Sequence, residues 1–306
     1  MVYMAKPAWV SHDGQPIFSV DVHPDGTRFA TAGQDGSVKL WSLAPVLDEK
    51  SEEDEKVPRQ LATLEGHQGA VNCARWSPDG RLLASGSDDA LVMVWRLAGA
   101  GERLGAVPFG SKAAKQHEKW RCVLTLRGHT GDIVGVAWAP DSQRLASVSL
   151  DNSVRVWDVA AEASRQLVAV LQGHRGMAKG VGWDPIGRYL ASQGDDRAVV
   201  VWEQRDWSEA ARVEAPFQRS TGKTLFRRLT WSPDGQFLCC PHAFKKPANI
   251  GVVLRRPTGT AGNDEWAEEC DFVGHNAPVG VCAFNQAVFR RDDKPDPYCC
   301  CAVGGG

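Results

Sequence analysis

The sequence predicts an all-β protein assembled from repeated four-stranded antiparallel sheets. Three observations carry the prediction. Twelve Trp stand against three Tyr in 306 residues, with 31 Gly, and the Trp recur along the chain rather than in one cluster. Four segments share the order His, Ser or Thr, Asp, Trp. Between those markers run short apolar alternations joined by Pro-Asp-Gly turns, the pattern of hairpins rather than helices.

The four sets are His12, Thr31, Asp35, Trp41; His67, Ser85, Asp89, Trp95; His129, Ser147, Asp151, Trp157; and His174, Ser192, Asp196, Trp202. In the last three, His precedes Trp by 28 residues, and in the first by 29. In all four the hydroxyl precedes Asp by four and Asp precedes Trp by six. Residues 70–76 and 133–138 read as first strands, 81–87 and 144–149 as second, 91–95 and 153–157 as third, and 166–171 as a fourth. Pro24-Asp25-Gly26, Pro78-Asp79-Gly80 and Pro233-Asp234-Gly235 fall between first and second strands, where Gly supplies the positive φ of a tight turn. Gly-His at 66–67, 128–129, 173–174 and 274–275, with Trp157-Asp158, completes the signature of a WD40 β-propeller.

The four marker residues have a physical task. An indole N–H only donates, so Trp gives its hydrogen to the hydroxyl, the hydroxyl to His, and His to the carboxylate. Buried polar side chains are tolerable when closed on one another in this way. Ser147, His129 and Asp151 have the composition of a hydrolase triad, but the trio recurs in every unit and an enzyme needs one site. A propeller enzyme would need an unshared acid/base or metal cluster, and the sequence offers none.

A fifth unit starts near residue 225. Counting on from Pro233, its hydroxyl, Asp and Trp positions fall on Cys240, Phe244 and Ile250, a degenerate set. A sixth starts at Gly274-His275, carries an insertion at 285–297, and reaches a second strand at 298–303. Repeat units thus start near 12, 67, 129, 174, 225 and 275, about five and a half blades of an expected seven. The expectation is one WD40 propeller over 1–306, C-terminally truncated, with an acidic loop insert at 43–58 and a second insert at 96–119.

Net charge is −2, so bulk electrostatics give no reason to expect direct nucleic-acid or membrane binding. The first thirty residues hold no apolar signal-type core, and nowhere do eighteen apolar residues run together. Nine Cys without framework spacing and the lack of an Asn-x-Ser/Thr acceptor fit a reducing compartment, cytosol or nucleus. Ser220-Thr221-Gly222-Lys223-Thr224 lacks the upstream Gly of a phosphate loop, since position 217 is Phe. Cys299–Cys301 alternate across a strand and read as small inner-strand side chains. His117-Glu118 lacks a second His. Arg219, Lys223, Arg227 and Arg228 read as loop and strand-face charges. No cofactor or metal is expected.

Particular phrases resemble one family, the HIRA (histone regulator A) histone chaperone subunits. They are Lys6-Pro7-Ala8-Trp9-Val10, the run Pro16-Ile17-Phe18-Ser19-Val20-Asp21-Val22-His23-Pro24-Asp25-Gly26-Thr27, Leu91-Val92-Met93-Val94-Trp95, Trp120-Arg121-Cys122, Lys179-Gly180 with Trp183-Asp184-Pro185, Asp271-Phe272-Val273-Gly274-His275, and Tyr298 to Gly304. The acidic stretch at 48–56 also sits where that family has one. The resemblance covers essentially this whole chain and only the N-terminal propeller of the family. It implies a non-enzymatic nuclear scaffold in a complex that deposits histones H3–H4 independently of replication, with a ubinuclein/Hpc2-like subunit held by the propeller and no small-molecule substrate. The family's segments for the anti-silencing-function chaperone and for oligomerisation have no match here. The alternatives are a p60-like chromatin assembly factor subunit or another WD40 adaptor such as a ubiquitin-ligase receptor. The last is disfavoured because Trp157-Asp158-Val159-Ala160 and Trp202-Glu203-Gln204-Arg205 lack Trp-Asp-x-Arg.

Loops on a rigid scaffold carry recognition. Partner contacts are therefore expected beside the network His and Asp, at Gln34, Gln68, Asp88, Thr130, Leu150, Arg175 and Asp195, with Lys179 and Arg197 adding charge. The acidic residues Asp48, Glu49, Glu52, Glu53, Asp54 and Glu55 have two readings: a solvated loop, or a contact for a basic partner such as histones.

Overall fold

Alternating apolar residues punctuated by Asp-Gly turns fold here as successive antiparallel hairpins. The computed structural model describes residues 7–99, 116–162, 166–221, 224–258 and 265–285, and the strand backbone of 289–291, 294–298 and 301–305. The chain forms two units, Met1–Val136 and Ala137–Gly306, and each is described by itself.

In the first unit, β1 (Ile17–Val22), β2 (Arg28–Gly33) and β3 (Val38–Ser42) pair in order. Helices α1 (Ala44–Leu47) and α2 (Glu49–Glu53) follow, and β4 (Gln60–Leu64) closes the sheet. The second sheet is β5 (Val71–Trp76), β6 (Leu82–Ser87), β7 (Val92–Leu97) and β8 (Trp120–Leu126). Val38, Leu40, Leu64, Val71, Leu83 and Trp95 are buried in one apolar cluster that both sheets share. Burial of this kind stabilises by about 1.5–3 kcal/mol per large side chain. β9 (Ile133–Trp138) begins in this unit.

β9 belongs to a sheet with β10 (Arg144–Ser149), β11 (Val154–Asp158) and β12 (Leu167–Leu171). The second unit continues with β13 (Ala178–Trp183), β14 (Tyr189–Gly194), β15 (Val199–Glu203) and β16 (Glu209–Val213). A fifth sheet contains β17 (Thr230–Trp231), β18 (Phe237–Lys245), β19 (Ala248–Arg255) and β20 (Ala267–His275). β21 (Val279–Phe284) pairs with β24 (Cys301–Gly305) across a hairpin of β22 (Phe289–Arg291) and β23 (Lys294–Tyr298). Among the described residues there are thus five four-stranded sheets and a partial sixth, the all-β blade architecture that the repeat predicts.

Two local devices recur. Gly26, Gly80, Gly187 and Gly235 turn from first to second strand at φ between +69° and +79°, and Ser142 does so at +59°. The Asp before each of Gly26, Gly80, Ser142 and Gly235 accepts the second amide onward, as Asp79 Oδ1 does from Arg81 N at 3.0 Å. The outer strand also bulges by one residue opposite each marker Trp: at Leu40/Trp41, Val94/Trp95, Val156/Trp157 and Val201/Trp202. The repeat of that bulge shows that the large indole and the extra outer-strand residue form one fixed unit of each sheet.

Three expectations need correction. The acidic insert at 43–58 is not an unstructured loop: it holds α1 and α2, because Asp48 caps α2 by accepting Ser51 N at 3.2 Å and Ser51 Oγ at 2.7 Å. The second strand of the sixth unit is 301–305 rather than 298–303, because 294–298 is taken up by the inserted hairpin. The expected marker positions of the fifth sheet also shift. Pairing puts Leu238 opposite Leu254, as Leu83 lies opposite Trp95, so Leu254 and not Ile250 stands in the Trp place. The β18–β19 hairpin runs on to Lys245 and Ala248, so Phe244 lies within β18 opposite Asn249 and occupies no turn. The described side chains do not include those of Cys299–Cys301.

Candidate interaction surfaces

The marker residues come together as their donor and acceptor inventory requires. In the first sheet Trp41 Nε1 donates to Thr31 Oγ1 at 2.7 Å. Thr31 Oγ1 lies 2.8 Å from His12 Nε2, and His12 Nδ1 lies 2.8 Å from Asp35 Oδ1. In the second, Trp95 Nε1 donates to Ser85 Oγ at 2.8 Å, Ser85 Oγ is 2.8 Å from His67 Nε2, and His67 Nδ1 is 2.9 Å from Asp89 Oδ2. In the fourth, Trp202, Ser192, His174 and Asp196 repeat the chain at 2.9, 2.8 and 3.0 Å. In the third sheet Trp157 Nε1 donates to Ser147 Oγ at 2.8 Å, and Asp151 Oδ1 accepts Ser153 N at 2.9 Å. His129, in the first unit, is buried.

Because the indole can only donate, the hydroxyl hydrogen is directed to imidazole Nε2, and the imidazole hydrogen sits on Nδ1 and is donated to the carboxylate. Burial pushes the His67 pKa down despite the Asp89 carboxylate beside it, which keeps the ring neutral. Burial pushes the Asp89 carboxyl up, but the Gln68 amide and the His67 ring outweigh it and hold the group below the ordinary carboxylate range. Asp35 and Asp196 are lowered against burial in the same way, chiefly by hydrogen bonds from His12 and His174. A Ser85-His67-Asp89 chain at these distances has triad geometry. Its hydroxyl is nonetheless fully buried and engaged by Trp95, so no substrate carbonyl reaches it.

The expected face residues divide. Gln34, Gln68, Asp88 and Thr130 of the first unit are exposed, as are Arg175 and Arg197 of the second, while Leu150 and Asp195 are half-buried. The network fixes their backbone: Asp89 Oδ2 accepts Gln68 N at 3.0 Å, and Asp196 Oδ2 accepts Arg175 N at 2.9 Å. Gly36, Ala90, Asn152 and Arg197, each directly after a network Asp, all take left-handed φ values of +61° to +75°.

Lys179 does not add surface charge. It is 5% exposed; its Nζ lies 2.7 Å from Asp195 Oδ2 and donates to the Thr224 carbonyl at 2.8 Å. Arg227 is no strand-face charge either. It is 3% exposed, its Nη2 lies 2.6 Å from Asp195 Oδ1, and its Nη1 donates to the Gly194 carbonyl. Burial pushes the Arg227 pKa down, and Asp195 opposes that. Two buried bases thus share one half-exposed carboxylate. The buried role of Arg227 is not marked by anything in its own stretch of sequence. The signal was Gly180: a Cβ there would meet the Arg227 carbonyl oxygen at 1.6 Å, so the Gly admits the strand that carries Arg227.

The acidic residues are mixed in role. Glu49, Glu53, Asp54 and Glu55 are exposed. Glu52 instead accepts Trp9 Nε1 at 3.1 Å and, through its carbonyl, Arg59 Nη2 at 2.9 Å, so it fastens α2 to the unit. Asp48 serves as the cap, and the Ser51 hydrogen bonds hold its carboxyl below the ordinary range. Among the described residues no group of three metal-ligating side chains forms a site, and no helix is long and apolar enough to cross a membrane.

Comparison with known proteins adds three findings. A family model described as the CAF1B/HIR1 beta-propeller domain matches residues 2–256. Curated relatives include proteins named HIRA from Takifugu rubripes (50% identical over 98% of this chain), Homo sapiens (48% over 98%) and Oryza sativa subsp. japonica (51% over 94%). The chain spans only 28–30% of the length of these three relatives. A chain in a crystal structure of the Mitotic Checkpoint Complex superposes with a TM-score of 0.65 at 21% identity, over 89% of this chain and 69% of that one, a likeness of fold alone. Repeated blades, closed polar networks and a family match over most of the length agree: the chain belongs to the CAF1B/HIR1 beta-propeller family.

Proposed function

We propose that this chain is the propeller portion, over residues 1–306, of a HIRA-like subunit: a non-catalytic scaffold in a nuclear complex that deposits histones H3–H4 independently of replication. The observation that carries the reading is the 48–51% identity to the three proteins named HIRA over 94–98% of the chain. The burial of every described network hydroxyl supports the absence of catalysis by these sites. The p60-like reading draws on the same family model but on none of these relatives.

The partner in this reading is a ubinuclein/Hpc2-like subunit, with histones reached through the complex. Arg175 and Arg197 beside the fourth network, and Glu49, Glu53, Asp54 and Glu55 on and after α2, are the contact candidates. Pull-down with a ubinuclein-like peptide tests this. Wild type is expected to retain the peptide, and either Arg175→Glu with Arg197→Glu, or neutralisation of the four acids, is expected to release it. Retention by both variants removes these two surfaces. Failure of the folded wild-type chain to bind removes the family function.

A further inference from the structure

The first unit has a cleft of about 360 Å³ where the β1–β2 and β5–β6 turns meet the end of β7 and the start of β8. Three guanidinium groups line it, from Arg28, Arg81 and Arg96, and its lining includes no carboxylate. Trp120 and Leu97 make an apolar wall.

Arg28 and Trp120 are held in place. Glu118 accepts Arg28 Nη1 at 2.5 Å with one oxygen and Trp120 Nε1 at 2.9 Å with the other, which fixes guanidinium and indole side by side. Trp120 also packs edge-on to Trp76 at 5.4 Å, and Trp76 to His23 at 4.6 Å. His23 Nε2 contacts the Gly80 carbonyl at 2.8 Å. A Cβ on Gly80 would lie 2.6 Å from the ring, so the glycine lets the two turns close on each other. Arg81 stands out into solvent, 85% exposed in its side chain, with only a 3.8 Å approach to Asp79. Leu97 is 41% exposed.

The geometry points to a docking site for an acidic peptide segment of a protein partner, in which a carboxylate meets the exposed Arg81 guanidinium and an adjoining apolar side chain lies on Trp120 and Leu97. Arg pairs with carboxylate in a planar two-pronged fit, and Trp and Arg are the side chains that anchor protein interfaces. The lining holds bases and apolar groups, and Arg81, whose guanidinium stands in solvent, selects a short acidic occupant. Nucleic acid fits less well, because its affinity comes from a track of many phosphate contacts. Here Asp25, Asp79 and Glu118 fringe the cleft and interrupt any basic track.

The test uses the whole chain and a fluorescein-labelled octapeptide of alternating Glu and Leu, read by anisotropy. A Lys-Leu octapeptide, inorganic phosphate and a twelve-nucleotide single strand serve as the other arms. The Glu-Leu peptide is expected to bind, about tenfold more weakly to Arg81→Glu or Leu97→Glu and equally to Lys245→Glu, an exposed base of the second unit. Folding of each variant is checked by its thermal transition. Equal binding by wild type and Arg81→Glu, or tighter binding of the single strand or of the Lys-Leu peptide, overturns the proposal. So does self-association of the chain that Arg81→Glu abolishes, since a second copy would then be the occupant.

Discussion

Through the Ser85 hydroxyl, His67 joins the Trp95 indole, a donor that cannot accept, to the Asp89 carboxylate, which cannot donate. Removing it in His67→Ala leaves the Ser85 hydroxyl and part of the Asp89 carboxylate buried without their partner, at a cost of about 1–3 kcal/mol each. The expected outcome is a folded chain whose urea midpoint falls by an amount equivalent to about 2–6 kcal/mol; an unchanged midpoint would refute the network. The same groups set the response to acid. The His67 pKa is lowered in the folded state, so the unfolded chain takes up the proton first and stability drops as pH falls through the ordinary imidazole range. Asp35, Asp89 and Asp196 are lowered too, so a second loss follows as pH falls through the ordinary carboxylate range. Both signs agree. Thermal midpoints measured from neutral to acidic pH should decline in two stages, and His67→Ala should flatten the first.

Strand existence and order were legible in the sequence because Trp, hydroxyl and Asp recur at fixed spacing. Residues 133–138 and 144–149 coincide with β9 and β10. The fifth sheet was legible only as far as Cys240, which does stand opposite Val252 as Ser85 stands opposite Met93. Beyond it the hairpin lengthens, so fixed spacing misplaces every later position. The polar marks are gone because Phe217, Cys240 and Leu254 fill one apolar cluster instead. Replacing all partners of a buried network by apolar groups is close to neutral, whereas restoring one is not. Cys240→Ser, which recreates the hydroxyl of the other sheets, is therefore expected to destabilise by about 1–3 kcal/mol, read from the urea midpoint; a stabilised variant would contradict the apolar account. The interaction surfaces were legible as backbone positions but not as charges. Lys179 and Arg227 looked like surface bases until three-dimensional packing put both on Asp195.

For the chain as an entity, the charge balance and one sheet face matter together. The net charge is −2 and the isoelectric point about 6.5, so self-repulsion is small near neutral pH. Ile17, Val20 and Val22 on β1 are 40%, 60% and 51% exposed. An apolar strand face open to solvent invites association. Light scattering is expected to show most self-association near the isoelectric point, and Val20→Lys with Val22→Lys is expected to suppress it without lowering the thermal midpoint. Association that is unaltered in the double variant would place the sticky surface elsewhere.

The left-handed residue after each network Asp has a use beyond folding. Gly36, Ala90, Asn152 and Arg197 are chemically unrelated, yet they occupy one backbone station, and at the first three the carboxylate of the preceding Asp accepts the next amide onward. Such a station is a socket: the clamp belongs to the blade and the tip is exchangeable. New recognition can be grafted there one tip at a time, with Gly or Asn as the least strained blank.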